Sequence, residues 1–254
     1  MLKFSIGKSY HVEWNVNLKE YEFYNKGELM PKKIDTLYKY MPFNEFTISS
    51  LLSRYLWLAN PSTFNDPFDC NKSLIINHPD NSEQTKDKKN SHEDIGIISF
   101  TEKLNNPLMW AHYTNNYNGI VLEFDASNFH QNNTEQFSEY KLRKVIYPEY
   151  IAPLQTGFQF AEDIMFSSKI KNWEYEEEWR IIGRLKNAEN RYLNFNPRSL
   201  KNIYIGYNLF ENNSTAFNIL SQIQYLNYPE VKIYYVYPNP DRFGSLVFKK
   251  INFD

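Results

Sequence analysis

Between Lys169 and Ile181 the sequence KIKNWEYEEEWRI sets three consecutive glutamates between two tryptophans and closes on an arginine. Carboxylates held close together repel, and that repulsion raises one partner's affinity for a proton. Such a group can transfer a proton or grip a hydroxyl, while Arg180 beside it can orient a carboxylate or a phosphate. Read as a strand, period two sends Trp173, Tyr175, Glu177, Trp179 and Ile181 to one face, and Glu174, Glu176, Glu178 and Arg180 to the other. Glu176 and Glu178 are therefore candidate catalytic carboxylates, with Lys169 and Arg180 as candidate binding groups. A solvent-facing strand side with ordinary charges is the competing reading, since charge-rich edge strands are common.

A second group of reactive types lies in MWAHYTNNYNG, Met109 to Gly119. In a helical turn Trp110 and Tyr113 share a face as candidate ligand contacts. His112 could then act as acid or base, or donate to a ribose or phosphate. The alternative for His112 is a satisfied core histidine; His78, His92 and His130 stand in polar stretches and are expected in water.

In FNDPFD, Phe64 to Asp69, the Asn65-Asp66-Pro67 sequence is a turn former, with the Asp side chain accepting from backbone amides ahead of it. A functional reading needs Asp66 or Asp69 to project into a cleft beside the glutamates, with Asn65 and Asp66 as candidate binding residues. The clustered carboxylates would then suit Mg²⁺, a hard ion that takes oxygen ligands. No H-x-x-x-H or H-E-x-x-H pairing supports zinc, and no metal is assigned. The sequence also lacks G-x-G-x-x-G, G-x-x-x-x-G-K-[ST] and G-x-S-x-G, which disfavours a Rossmann site, a P-loop and an α/β-hydrolase elbow.

The elements that must position these groups follow from periodicity. TLYKY (36–40) is β-branched and aromatic, hence a strand; EFTISSLLS (45–53) fits a short helix capped by Asn44; RYLWLA is again strand-like. Polar Asn77 to Asp94 is expected as a surface loop. IGIISFTE, IVLEFD and LRKVIYP are strands. A helix is expected where Leu154, Phe158, Ala161, Ile164 and Met165 recur on one face. NIYIGYN, STAFNILSQIQYLN and VKIYYVYP read as strand, helix, strand. The pattern is α+β, a mixed, mostly antiparallel sheet with interspersed helices. Residues 1–33 are expected as a lead-in, a short strand pair packed on the main body, and 34–254 as one domain.

The 254 residues include 42% hydrophobic and 17% aromatic types, enough for a sizeable core. A net charge of −2 argues against bulk electrostatic wrapping of duplex nucleic acid, though a local nucleotide or nucleic-acid contact stays open. The lone Cys70 excludes an internal disulfide and suits a reducing compartment. The opening residues lack an apolar signal region and no apolar run is long enough to span a bilayer, so the expectation is a cytoplasmic protein without a membrane partner. A protein partner is not specified by any of these features.

LYKY, LWLANPSTFNDPFD, ISFTE, MWAHYTNNYNGIVLEFD and KIKNWEYEEEWR together resemble, in order and spacing, the bacterial domain-of-unknown-function family 2971. The resemblance runs from about Leu37 to Arg180, with motifs counted over 37–183, and implies an association with bacterial defence or mobile elements but no established reaction. More distantly, the order of elements is similar to ADP-ribosyltransferase-like folds, whose site is split among an early strand residue, a Ser/Thr-bearing strand and a late glutamate. That likeness implies NAD as substrate. Tyr38 and Lys39 would stand on the early strand, Ser99 and Thr101 on the second, and Glu178 would grip the nicotinamide ribose 2′-hydroxyl. Tyr38, Tyr40, Trp57 or Tyr113 would wall the nicotinamide. Lys39 stands where an Arg or His is expected. The alternatives are a Mg²⁺-dependent nuclease built on Asp66, Asp69, Glu176 and Glu178, and a non-catalytic nucleotide-sensing or partner-binding domain.

Overall fold

The computed structural model describes residues 3–18, 20–71, 76–77, 92–129, 135–151, 154–155 and 161–252. The lead-in is four strands rather than a pair: β1 (Lys3–Ile6), β2 (Tyr10–Asn15), β3 (Glu20–Asn25) and β4 (Glu28–Leu29) form an antiparallel meander. Lys26 and Gly27 both have positive φ, as a two-residue hairpin turn with the twist of its strands requires. Period two turns Ile6, Tyr10 and Val12 inward.

Next come β5 (Thr36–Pro42), α1 (Glu45–Ser53) and β6 (Tyr55–Trp57). Asn44 caps α1 by accepting from the Thr47 amide at 3.0 Å. They are followed by β7 (Ile76–Asn77), β8 (Ile95–Thr101), α2 (Pro107–Tyr113), β9 (Gly119–Asp125), β10 (Phe137–Lys144) and β11 (Leu154–Gln155). Pro107 opens α2, where its missing N–H leaves no helical bond unmade. The chain ends with α3 (Ala161–Phe166), β12 (Glu178–Leu185), β13 (Tyr192–Asn194), β14 (Leu200–Gly206), α4 (Tyr207–Asn212), α5 (Ser214–Asn227), β15 (Lys232–Pro238) and β16 (Leu246–Lys250).

Two expectations change. Of the helix anticipated from Leu154, the described residues show Ala161–Phe166, and Leu154–Gln155 is a strand parallel to Ile76–Asn77. KIKNWEYEEEWRI is not one strand, because Lys171–Glu176 is a 3-10 turn and β12 starts at Glu178. Phe158, His78, His130 and most of the polar 77–94 stretch lie outside the described residues. Among the described residues no helix is long and apolar enough to cross a membrane.

The chain divides into two units. The first comprises Met1–Lys33, Leu58–Ile98 and Gln136–Arg191. Here the meander shares a core with Cys70, Ile97, Ile146, Ile164 and Met165, and β10 runs antiparallel to β12. The second comprises Ile34–Trp57, Ser99–Glu135 and Tyr192–Asp254. In it β9 pairs antiparallel with both β5 and β14. β14 and β15 are parallel, and α4 and α5 supply the crossover that parallel strands need. Leu37, Leu122, Phe124, Ile203, Leu220 and Val236 are buried in this unit. The fold is α+β with mixed, mostly antiparallel pairing, as the periodicities indicate.

Candidate functional site

The acidic stretch reaches its final geometry through a change of period. In the 3-10 turn Lys171–Glu176, residues three apart share a side, so Trp173 and Glu176 both face Lys169. Glu177 then adopts the left-handed conformation (φ 42°, ψ 52°) and redirects the chain into β12. There, period two places Glu178 and Arg180 on a common side. The Glu178 amide donates to the Tyr147 hydroxyl at 2.8 Å, fixing the start of the strand.

Arg180 has no exposed surface, and each of its five N–H donors has an acceptor. Nη1 and Nη2 donate to the two oxygens of Asp69 at 2.9 and 2.6 Å. Nε and Nη2 donate to the two oxygens of Glu178 at 2.8 and 3.0 Å. The remaining Nη1 hydrogen reaches the Phe166 carbonyl at 2.9 Å, with the Cys70 sulfur 3.3 Å away. The guanidinium lies 5.6 Å from the centre of the Phe64 ring. Lys169 completes the cluster. Its Nζ is 2.6 Å from Glu176 Oε2, 3.8 Å from Glu178, 3.9 Å from Asp69 and 4.7 Å from the centre of the Trp173 ring.

Asp69, Lys169, Glu176, Glu178 and Arg180 are all buried. Burial disfavours the Arg180 charge, but the Asp69 and Glu178 carboxylates more than offset it and hold its pKa well above the ordinary value. Burial also pushes the Cys70 thiol well above its usual range, so it is a poor nucleophile. Three carboxylates formally face two cations. Each oxygen of Asp69 and of Glu178 accepts a hydrogen bond from the one guanidinium, so a Mg²⁺ ion would have to compete with Arg180 for them. Among the described residues no group of three or more His, Cys, Asp or Glu side chains is arranged to hold a metal ion.

The first unit thus brings together Glu176, Glu178, Lys169 and Arg180. Asn65 and Asp66 lie in the same unit; Asn65 is exposed, and Asp66 is buried and accepts from the Phe68 amide at 2.9 Å, as a turn-forming aspartate does. The second unit holds His112, Tyr38, Lys39, Ser99, Thr101, Trp110 and Tyr113. His112 is exposed and Tyr113 half-buried. Trp110 is buried, its indole N–H donating to the Leu104 carbonyl at 3.1 Å and its ring set edge-on to Tyr40. Tyr38 stands opposite Thr101, and Lys39 Nζ donates to the Ser99 carbonyl at 2.9 Å.

Sequence reasoning set Asp69 beside the glutamates, though as a metal ligand rather than as the partner of Arg180. It missed two participants: Tyr147 carried no signal beyond a tyrosine in a strand, and His92 was expected in water. His92 is buried instead, edge-on to Phe166, with Nε2 3.3 Å from the Cys70 carbonyl.

The NNYNG turn holds a further feature. Asn115, Asn116 and Tyr117 have φ of 51°, 58° and 61°, three consecutive left-handed residues. Asparagine tolerates this region, whereas tyrosine is strained there by about 1–2 kcal/mol. The surroundings enforce it: the Tyr117 ring stacks on Trp110 at 5.7 Å, its amide donates to Thr114 Oγ1 at 3.1 Å, and Asn208 Nδ2 donates to the Asn116 carbonyl at 2.7 Å. Gly206 permits the approach, since a Cβ there would lie 2.3 Å from the Tyr117 carbonyl oxygen.

The profile of the family described as "Protein of unknown function (DUF2971)" matches residues 109–181, which places this stretch in that family. The match begins in the W-x-H-Y helix and ends beyond Arg180, so it includes the left-handed turn and four members of the ion cluster. Asp69 and the motifs before Met109 lie outside it. No curated protein and no solved structure matches the chain.

Proposed function

We propose that the chain is a binding module, serving a nucleotide or a partner, in which Glu176 and Glu178 hold the fold and perform no chemistry. One observation carries this reading: fully buried Arg180 consumes both oxygens of Glu178 and both of Asp69. A catalytic carboxylate must touch substrate, and one already committed to a buried guanidinium would have to abandon that partner first. Breaking a buried pair costs about 3–5 kcal/mol, a large fraction of a domain's stability. The test incubates the protein with NAD and, separately, with RNA or DNA plus Mg²⁺ or EDTA, while melting is followed with added nucleotides. This reading expects no nicotinamide release, no EDTA-sensitive cleavage, and a raised melting temperature with a bound nucleotide.

A second reading, an NAD-using ADP-ribosyltransferase-like enzyme with a role in bacterial defence, is favoured by the pairing of Tyr38 with Thr101. That register sets the early strand beside the Ser/Thr-bearing strand within the second unit. Glu178 would then leave Arg180 to grip the ribose 2′-hydroxyl and stabilise an oxocarbenium-like transition state. Nicotinamide release that disappears in Glu178→Gln, with melting unchanged, would establish this reading over the first.

A further inference from the structure

In the second unit the left-handed turn and α4 flank an open cleft of about 420 Å³ lined by Asn115, Asn116, Asn118, Asn208, Asn212 and Asn213. We propose that this cleft binds a neutral, hydroxyl-rich small molecule, a sugar either free or carried in a nucleoside. The proposal is independent of the role assigned to the buried ion cluster.

The lining decides the ligand chemistry. Every lining side chain is a carboxamide, which offers two N–H donors and a carbonyl acceptor but no charge. A hydroxyl both donates and accepts, so an array of hydroxyls can meet an array of carboxamides in either sense. A phosphate or carboxylate would find no cation in this lining, and an apolar ligand would strand the amides without partners. The volume falls within the range of small-molecule sites.

The amides divide into structural and available ones. Asn208 is spent on the Asn116 carbonyl, and the Asn213 carbonyl caps α5 by accepting from the Ala216 amide at 2.9 Å. Asn115, Asn116, Asn118 and Asn212 are exposed, and their side chains make no hydrogen bond to the described residues. The strained backbone of Asn115, Asn116 and Tyr117 holds one side of the cleft in a fixed shape, anchored by Tyr117 on Trp110. Strain maintained by such over-determined packing is a feature of ligand-holding segments. Neutral hydrogen bonds in an open cleft give modest affinity, so dissociation constants near the millimolar range are expected.

The experiment follows asparagine side-chain amide resonances of the full chain by ¹⁵N NMR during titration with ribose, glucose and adenosine, with sodium sulfate as the charged control. Saturable shifts of the amides of Asn115, Asn118 and Asn212 with at least one hydroxylated probe, and none with sulfate, are expected. Shifts with ribose or glucose identify a free sugar as sufficient; shifts with adenosine alone assign the site to nucleosides. The variant Asn118→Ala/Asn212→Ala, two exposed positions, should weaken that binding about tenfold or more while melting at the wild-type temperature. Absence of saturable shifts with all three probes up to about 50 mM, or equal affinity in the double variant, would overturn the assignment.

Discussion

Arg180 and Asp69 are 111 positions apart in the chain, yet they meet through two parallel hydrogen bonds of 2.9 and 2.6 Å in a site with almost no water contact. The same guanidinium holds Glu178 with its other edge. This bidentate grip ties the FNDPFD segment, through Asp69, to β12 and leaves the charged groups of the opening motif committed to one another. The charged groups that suggest catalysis in the sequence are thus partnered with one another inside the fold.

Replacing Arg180 by Met should lower unfolding stability by about 3–5 kcal/mol, because two buried carboxylates lose their counter-ion. Arg180→Lys should also be destabilised, since a point charge with three donors cannot span both carboxylates. Urea unfolding monitored by tryptophan fluorescence measures both. A wild-type midpoint for the lysine variant would show that the fork geometry is dispensable.

Glu178→Gln changes little in shape but removes the charge that Arg180 grips. A loss of about 1.5–3 kcal/mol is expected, the range for a hydrogen bond to a charged group. Thermal melting compares it with wild type, and an unchanged curve would remove Glu178 from the anchor.

Gly206→Ala should be costly, because its Cβ would sit 2.3 Å from a backbone oxygen that cannot swing away. A penalty of about 1–3 kcal/mol is expected, with the NNYNG turn displaced. Comparing amide shifts of residues 115–118 in Gly206→Ala with wild type reads the displacement directly, and superimposable spectra would contradict it.

Asp125 supplies a pH test. Hydrogen bonds from the Ser127 and Asn128 side chains hold its carboxyl down at about 2, below the usual 3.8. A folded-state pKa that is depressed adds stability above the unfolded value, and this is lost as pH falls from about 4 to 2. Asp125→Ala should therefore be less stable than wild type at neutral pH, with the difference shrinking through that window. Urea midpoints at several pH values report it, and a difference constant down to pH 2 would show the carboxylate is not the source.

Local rules carried much of the fold. Ser214–Asn227 was legible as a helix, whereas its cap, Asn213, was not singled out in the sequence. β5 and β9 followed from β-branched and aromatic content. The common side of Glu178 and Arg180 followed from period two alone. Other features depend on contacts invisible to periodicity. Glu177 reverses the chain in a left-handed conformation that no glycine announces, so the strand expected before it is a 3-10 turn. His92 sits in a polar stretch and is nonetheless drawn inside against Phe166. The Asp69 partnership with Arg180 could not be read from spacing, because nothing local links residues so far apart.

The central claim is that the buried carboxylates act through Arg180 to hold the fold, and a double-mutant cycle between Asp69 and Arg180 tests it most directly. Unfolding free energies of wild type, Asp69→Asn, Arg180→Met and the double variant give the coupling. A coupling of about 2 kcal/mol or more, with both single variants strongly destabilised, is the predicted result. Coupling indistinguishable from zero, with both single variants unfolding at the wild-type midpoint, would contradict it.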